Sequence, residues 1–404
     1  MKRLFFTILS LTFIFNTYSQ NFENNHSSDF ILGNGLVIKT GDDYHLKLSG
    51  MIQSNFSIAI DSLQNTNYVF NPKHNFFSIS GFSKPDRVSF LMLADFSLSS
   101  PLLDAWVAYH FNNNVRLSFG QKLISGNNRV MTYKINNLQF HERSLLSTNY
   151  SNSGREFGLF LDLNLSLKRI KINPSFGISS GDGRSSLSSN SLNVDFGGFK
   201  YFGRVDFYPI GYFSDGNNIQ VSDIKRESQL KLVFGIAASY NNGVSNSVGE
   251  GHGDFLLYDS KGNILLPDYH QLYMDFLLKF RGFSALTEYV IASSSSSGQI
   301  YIDPIATLFQ ETQISEYLSI GTGLNFNIGY VLKNNLGFDI SYTQVNPEFA
   351  NNLNSVIKTN DELRFGFSRY LLENDLKLSS TFSRIKDQNE NISSLFAIII
   401  QLKI

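Results

Sequence analysis

Apolar and polar residues alternate at a period of two along most of this chain. In YHLKLSGMIQSNFSI, residues 44–58, Tyr44, Leu46, Leu48, Ile52, Phe56 and Ile58 share one parity, while His45, Lys47, Ser49, Gln53, Asn55 and Ser57 share the other. Successive side chains of a strand point to opposite faces, so this segment reads as a strand with one oily and one wet face. It exceeds the roughly 5–6 residues of an ordinary globular strand. The pattern recurs in RVSFLMLADFS (Val88, Phe90, Met92, Ala94, Phe96), EFGLFLDL (Phe157, Leu159, Leu161, Leu163) and YMDFLLKF (Met274, Phe276, Leu278, Phe280). It recurs again in LNFNIGYVL (Leu324, Phe326, Ile328, Tyr330, Leu332), LKLSSTF (Leu376, Leu378, Phe382) and SSLFAIIIQLKI (Phe396, Ile398, Ile400, Leu402, Ile404). Helical periodicity is nearly absent.

The links between these segments also alternate, in length. Short ones fall at 83–86, 112–114, 164–168, around Gly282, 333–335 and 371–375. Long polar ones fall at 61–73, 123–154, 181–197, 241–270, 292–316, 344–360 and 385–392. Two links break the rhythm: 210–228 is long where a short one is due, and 97–102 is short where a long one is due. The rhythm predicts an all-β fold, a transmembrane up-and-down antiparallel β-barrel of about 16 strands with short periplasmic turns and long outer loops. The barrel is expected over residues 43–404, with 21–42 as a short periplasmic tail. Lipid cannot satisfy an open sheet edge, so the last strand must close on the first, near residues 44–58. Tyr44, Tyr109, Phe111, Phe207, Phe280, Tyr289 and Tyr370 are expected at strand ends as interfacial girdles. Stacked soluble sheets alternate too, but they seldom carry long loops on every second link.

Residues 1–20, MKRLFFTILSLTFIFNTYSQ, place Lys2 and Arg3 before an apolar run too short to cross a bilayer as a helix, which needs about 20 residues. This is the pattern of a signal peptide cleaved near Ser19-Gln20, and it predicts export to the outer membrane of a Gram-negative cell. The 404-residue chain has no cysteine, which excludes disulfide scaffolds, thiol catalysis and thiolate-bound metals. A net charge of -1 gives no field for nucleic acid. No cofactor or metal is implied. Thirty-seven Phe and nineteen Tyr accompany a mean hydropathy of only -0.11, so the aromatics line faces and do not form apolar runs.

The block LLDAWVAYHFNNNVRLSFGQ, residues 102–121, followed by ERS at 142–144 and GREFG at 154–158, resembles the phosphate-selective porins O and P. LKLSGMIQSNF, YFGRVDFYPIG at 201–211, Glu288-Tyr289 and Gln401 fit the same pattern in order. The resemblance covers nearly the whole mature chain and implies a water-filled, homotrimeric porin whose third outer loop, here 123–154, folds into the bore. Arg129, Lys134, His141, Glu142 and Arg143 would then stand at its narrowest point. Glu142 and Arg143 stand equally as ion-pair ties from the loop to the wall.

Parity places Lys47, Arg87, Arg116, Lys171, Lys200, Arg204, Lys231, Lys279, Arg281, Arg364, Lys377 and Lys403 in the lumen. Asp95, Asp104, Glu156, Asp162, Asp206, Asp275, Glu288, Asp339 and Glu362 oppose them on the same face. The excess is slightly basic, and no single segment carries a ladder of Arg. The expected function is passive diffusion of small hydrophilic solutes or ions, with a weak anion preference and phosphate as one candidate. Outer-membrane lipid is the other expected partner. The rival readings are a barrel plugged by its loops, structural or secretion-linked, and a barrel hydrolase. Hydrolysis needs a nucleophile set against a histidine, and the seven histidines sit in no such motif. GDGR at 181–184 and GEGHGD at 249–254 lack the helix or the acidic spacing of phosphate and calcium loops, and read as turns.

Overall fold

In a computed structural model of the chain, the structure describes residues 26–184, 197–305 and 307–404. The expected signal peptide lies outside the described residues. A hairpin of β1 (His26–Ile31) and β2 (Gly35–Thr40) comes first. The barrel then runs through β3 (Tyr44–Ile60), β4 (Thr66–Ser83), β5 (Val88–Asp95), β6 (Leu102–Asn112), β7 (Val115–Leu123) and β8 (Arg155–Leu163). A short β9 (Leu165–Leu167) precedes β10 (Ile170–Ser179), β11 (Lys200–Tyr208), β12 (Lys231–Asn241), β13 (Asp268–Phe280) and β14 (Phe283–Ser295). The wall is completed by β15 (Gly321–Val331), β16 (Leu336–Pro347), β17 (Asn360–Leu372), β18 (Leu376–Asp387) and β19 (Ile392–Lys403).

Each wall strand pairs antiparallel with the next, and β19 returns to β3 from Ser394↔Ile60 to Lys403↔Met51. Sixteen strands close on themselves, so their ladder groups are satisfied within the sheet, as lipid requires. One row of β13, including Met274, Phe276, Leu278 and Phe280, faces outward, while Tyr273, Asp275, Leu277 and Lys279 are buried inside. The outward row continues laterally, for Phe276 pairs with Phe234 at ring centroids 5.0 Å apart and with Thr287. An apolar exterior around a polar interior is the form of a barrel of the Gram-negative outer membrane. No helix among the described residues is long and apolar enough to cross a membrane.

The tight turns follow local chemistry. Between β13 and β14 the two-residue turn puts Arg281 at φ 50° and Gly282 at φ 95°, the pair of positive values that a type I′ turn requires. A Cβ on Gly282 would lie 2.3 Å from the Val331 carbonyl oxygen.

Several expectations are corrected. Residues 61–73 form no long loop: a turn at 61–65, where the Asp61 carboxylate accepts from the Leu63 and Asn65 amides at 2.9 and 2.8 Å, leads into β4. Tyr68 and Phe70 are exposed on this hairpin, as are Asn67 and Asn71, and a strand open on both faces loses the alternation that would announce it. Residues 385–392 likewise hold only a short turn, because β18 continues to Asp387. Residues 26–40 are not a free tail, since β2 pairs with β3 from Leu36↔Leu48 to Thr40↔Tyr44, below the point where β19 stops. Gly33 N donates to the Lys403 carbonyl at 3.0 Å, which joins the hairpin to the end of the barrel. Tyr370 is no girdle residue; it points inward, 1% exposed, packed with Ile224 and Val331.

Two connections fill part of the bore. The outer connection 124–154 turns inward through short helical turns at Arg129–Thr132 and Leu145–Tyr150. The periplasmic connection 209–230 rises from the other end. They meet in an apolar cluster of Val130 and Leu138 from the first, Phe213 and Val221 from the second, and Val233, Leu277 and Leu286 from the wall.

Candidate permeation lane

The inward loop is fastened to the wall of β11–β17 by the acids of that wall. Asp275 accepts from Arg129 Nε at 2.5 Å and from Arg204 Nη2 at 2.6 Å, and Asp206 accepts from Arg129 Nη2 at 2.7 Å and from Arg204 Nε at 2.9 Å. Two guanidinium groups and two carboxylates thus neutralise one another with their donors used, the condition under which buried charge is tolerated. Glu288 accepts from Asn128 Nδ2 at 3.0 Å and the Val130 amide at 2.8 Å, and Asp339 from Gln139 Nε2 at 2.5 Å. Glu250, in the outer connection 242–267, accepts the amides of Asn152, Ser153 and Gly154 at 2.8–3.0 Å. The far wall's negative charge is consumed in holding the loop.

Cations of that wall serve the same end. Arg364 reaches the Glu142 carbonyl at 3.2 Å and pairs with Glu362, and Lys377 reaches the carbonyls of Leu138 and Gln139 at 3.1 and 3.4 Å. Lys200 pairs with Glu156 at 3.1 Å. Lys279 is fully buried and donates to the carbonyls of Asn217, Gln220 and Ser222 at 2.6, 2.7 and 3.2 Å, which pins the periplasmic connection. Lys171, its ammonium 6.0 Å from the Tyr212 ring, and Lys231, bonded to the Ile210 carbonyl at 2.9 Å, lie beside the same connection. Arg87 and Arg281 leave the expected lumenal row: both sit in turns with positive φ, Arg87 bonded to the Phe111 carbonyl and Arg281 over the Phe280 ring at 5.0 Å. Parity fails where a turn rotates the backbone.

Of the loop residues expected at the narrowest point, Arg129 is corrected to an anchor, 3% exposed on the filled side. His141 is buried there as well, and burial holds it well below the ordinary histidine value, hence neutral at physiological pH. Glu142 ties the loop to Lys73 of β4. Arg143 bonds to the carbonyls of Val130 and Tyr133, stiffening the loop from within. Burial pulls its guanidinium down to about 10, still charged at neutral pH.

Between the loop and the wall of β3–β8, space remains. One cavity of about 310 Å³ lies among β3, β4 and β5, the loop residues Lys134, Asn136 and Arg143, and Arg155, Arg184 and Lys403. A second, of about 360 Å³, shares Lys134 and adds Lys122, Arg116, Trp106 and Phe160. A third, of about 410 Å³, shares Arg116, Ser125, Thr132 and Asp162 with the second and is also lined by Asn112, Asn113 and Asn164 of the periplasmic turns. Shared lining residues set the three side by side as an off-centre lane of cavities. Its first cavity carries Lys134, Arg143, Arg155, Arg184 and Lys403 against one carboxylate, Asp95. That carboxylate is engaged by His74 Nδ1 at 2.6 Å, the Asn75 amide and Ser97. Arg155 pairs with Asp104 at 2.9 Å and Lys403 with Asp375 at 3.0 Å, whereas Lys134 and Arg184 have no ion pair among the described residues. Lys47, on the same side, donates to Asn34 Oδ1 at 2.5 Å, and Arg116 pairs with Asp162 at 2.8 Å.

Sequence reasoning missed Arg155 and Arg184 as lane residues and missed the glycines beneath the loop. A Cβ on Gly235 would lie 2.2 Å from Arg204 Nη2 and 2.7 Å from Arg129 Nη2; on Gly329, 2.2 Å from Gln139 Nε2; on Gly366, 2.9 Å from the Phe140 ring. An isolated Gly on the inward parity of a strand marks close approach of another group, and that signal was available at all three positions.

No family model matches the chain, and no curated protein does. Solved structures do match. The anion-selective porin from Comamonas acidovorans is 9% identical with a TM-score of 0.56, over 90% of this chain and 100% of that one. The trimer form of OmpT, an outer-membrane protein of Vibrio cholerae, is 7% identical with a TM-score of 0.54, over the same shares. OprB of Pseudomonas putida is 10% identical with a TM-score of 0.52, over 90% of this chain and 94% of its own. At these identities the likeness is one of fold, and the fold this chain shares with them is the outer-membrane porin barrel.

Proposed function

We propose that this protein is a passive diffusion channel whose conduit is the off-centre lane, and that it prefers anions. The observation that carries the reading is the sorting of charge. Acids of the far wall are spent on anchoring the loop, while Lys134, Arg143, Arg155, Arg184 and Lys403 gather on the space that stays open. Charges at a narrow, poorly screened point govern which ions pass. Phosphate is one inorganic anion such a lane would admit, and a homotrimer is the assembly we propose, since one structural neighbour, OmpT, has a trimer form.

The plugged-barrel reading has one observation in its favour, the apolar meeting of the two inward connections. That meeting closes the half of the bore away from the lane. A hydrolase reading has less. His74 has Asp95 on Nδ1, but no side chain among the described residues bonds its Nε2, and Ser89 faces His110 Nε2 at 2.8 Å without a carboxylate to orient the ring.

In planar bilayers under a KCl gradient, the reversal potential is expected to give a chloride-to-potassium permeability ratio on the order of severalfold above one. The double variant Lys134→Gln with Arg184→Gln is expected to bring it close to one, with little change in stability because neither side chain holds an ion pair among the described residues. Absence of open current, or a ratio below one in the unmodified protein, contradicts the proposal.

A further inference from the structure

The lumen of a water-filled outer-membrane barrel is polar, yet the wall of this lane carries a run of apolar residues among its polar ones. Met51 on β3, Phe76 on β4, Leu93 on β5 and Leu103 on β6 line the first cavity, and Trp106 with Phe160 lines the second. Phe160 packs against Ile124 at the root of the loop, while the larger apolar clusters of the loop lie on the opposite wall, so Met51, Phe76, Leu93, Leu103 and Trp106 stand outside those clusters. Met51 pairs directly with Phe76, and Trp106 with Leu91, so the stripe runs across adjacent strands. Facing it across the same spaces are Lys134, Arg143 and Arg184. The lane therefore sets apolar side chains among its cations, with Lys403 beside Met51 and Lys122 over the Phe160 ring at 5.0 Å.

We infer that the lane favours organic anions with an apolar body, aryl carboxylates above all, over small or inorganic anions of the same charge. This rests on the reading of the barrel as an anion-preferring channel. The argument is one of difference. Benzoate and acetate bear the same carboxylate, so attraction to Lys134 and Arg184 is common to both, and what separates them is apolar surface removed from water. Phosphate has none to bury. A first cavity of about 310 Å³ is at the lower end of the range for small-molecule sites, ample for one ring. Phe76 shares its cavity with Lys134 and Arg184, and Trp106 shares its own with Lys134, so a ring can meet either aromatic while its carboxylate meets a cation that holds no ion pair among the described residues. Lys134 belongs to both cavities, which lets the carboxylate keep one partner as the body moves from Phe76 toward Trp106.

The test uses the full-length protein in planar bilayers carrying KCl current, with potassium benzoate, acetate or phosphate added on one side. Benzoate is expected to block chloride current at a concentration about tenfold lower than acetate, the ratio that burial of most of a ring's face supplies. Trp106 is the only tryptophan of the chain, so its emission reads occupancy directly. Benzoate, and not acetate, is expected to protect it from quenching by iodide. The variant Phe76→Gln with Trp106→Gln is expected to make benzoate and acetate equal. Leu98→Gln, in the turn between β5 and β6 and 40% exposed, is the second variant and is expected to narrow the difference without challenging the fold. An anion-preferring current in which unmodified protein treats the two carboxylates alike overturns this inference and leaves the channel reading intact. Absence of current, or cation preference, overturns both.

Discussion

Arg129→Ala is expected to cost about 3–5 kcal/mol of stability, the range for removing one partner from a buried ion pair. Its guanidinium is 3% exposed and meets both Asp275 and Asp206, with Arg204 as the other cation. Without it the cluster holds two carboxylates and one guanidinium, with Asp275 and Arg204 both buried. Val130, next in the chain, gives its amide to Glu288, so the first turn of the inward loop loses its main tie to the far wall and keeps a weaker one. Urea unfolding in lipid checks the stability, and single-channel recording is expected to show a noisier open level as the loop moves. Arg129→Lys is expected to recover part of the loss, because an ammonium restores the charge without the two-sided fork.

Lys279→Met is expected to act at the other connection. The ammonium is fully buried, with the carbonyls of Asn217, Gln220 and Ser222 as its three acceptors. Hydrogen bonds to a charged group contribute about 1.5–3 kcal/mol each and do not add fully, so losing all three is expected to cost about 3–6 kcal/mol. Met keeps the length of the stem, so the loss is one of the ammonium's polar ties and of its place over the Phe213 ring, 4.9 Å away. Released from Lys279, residues 209–230 are expected to become cleavable by protease from the periplasmic face, while β13 itself stays protected. An uncleaved variant of unchanged stability shows that the connection is held by its apolar contacts alone.

The barrel was legible in the sequence because lipid imposes one rule on every strand: Met274, Phe276, Leu278 and Phe280 must all face out, and nothing in the bore alters that. Where alternation ends the rule ends, which is why residues 66–73 read as loop although β4 begins at Thr66, and Tyr370, inward by register, read as girdle. The inward loop was legible as a long connection whose inward turn the resemblance implied, and the odd length of 210–228 marked the second connection without saying that it rises into the bore. What each lumenal charge does was not legible. Arg129 and Asp275 are 146 positions apart, and only the closed barrel decides that the loop leans on β13 and not on β5. The cationic face of the lane is assembled from the loop, β8, the connection after β10 and the end of β19, so no segment carries it.

The claim that solutes pass between the loop and β3–β8 is tested most directly by single cysteines, since the chain has none of its own. Ser78 lines the lane's first cavity, and Ser341, 2% exposed, lies on the filled side near the loop. Current through Ser78→Cys is expected to fall rapidly on adding a sulfonate-bearing methanethiosulfonate reagent, while current through Ser341→Cys holds steady. Rapid loss at Ser341→Cys with Ser78→Cys unaffected would place the conduit on the other side of the loop and contradict the account.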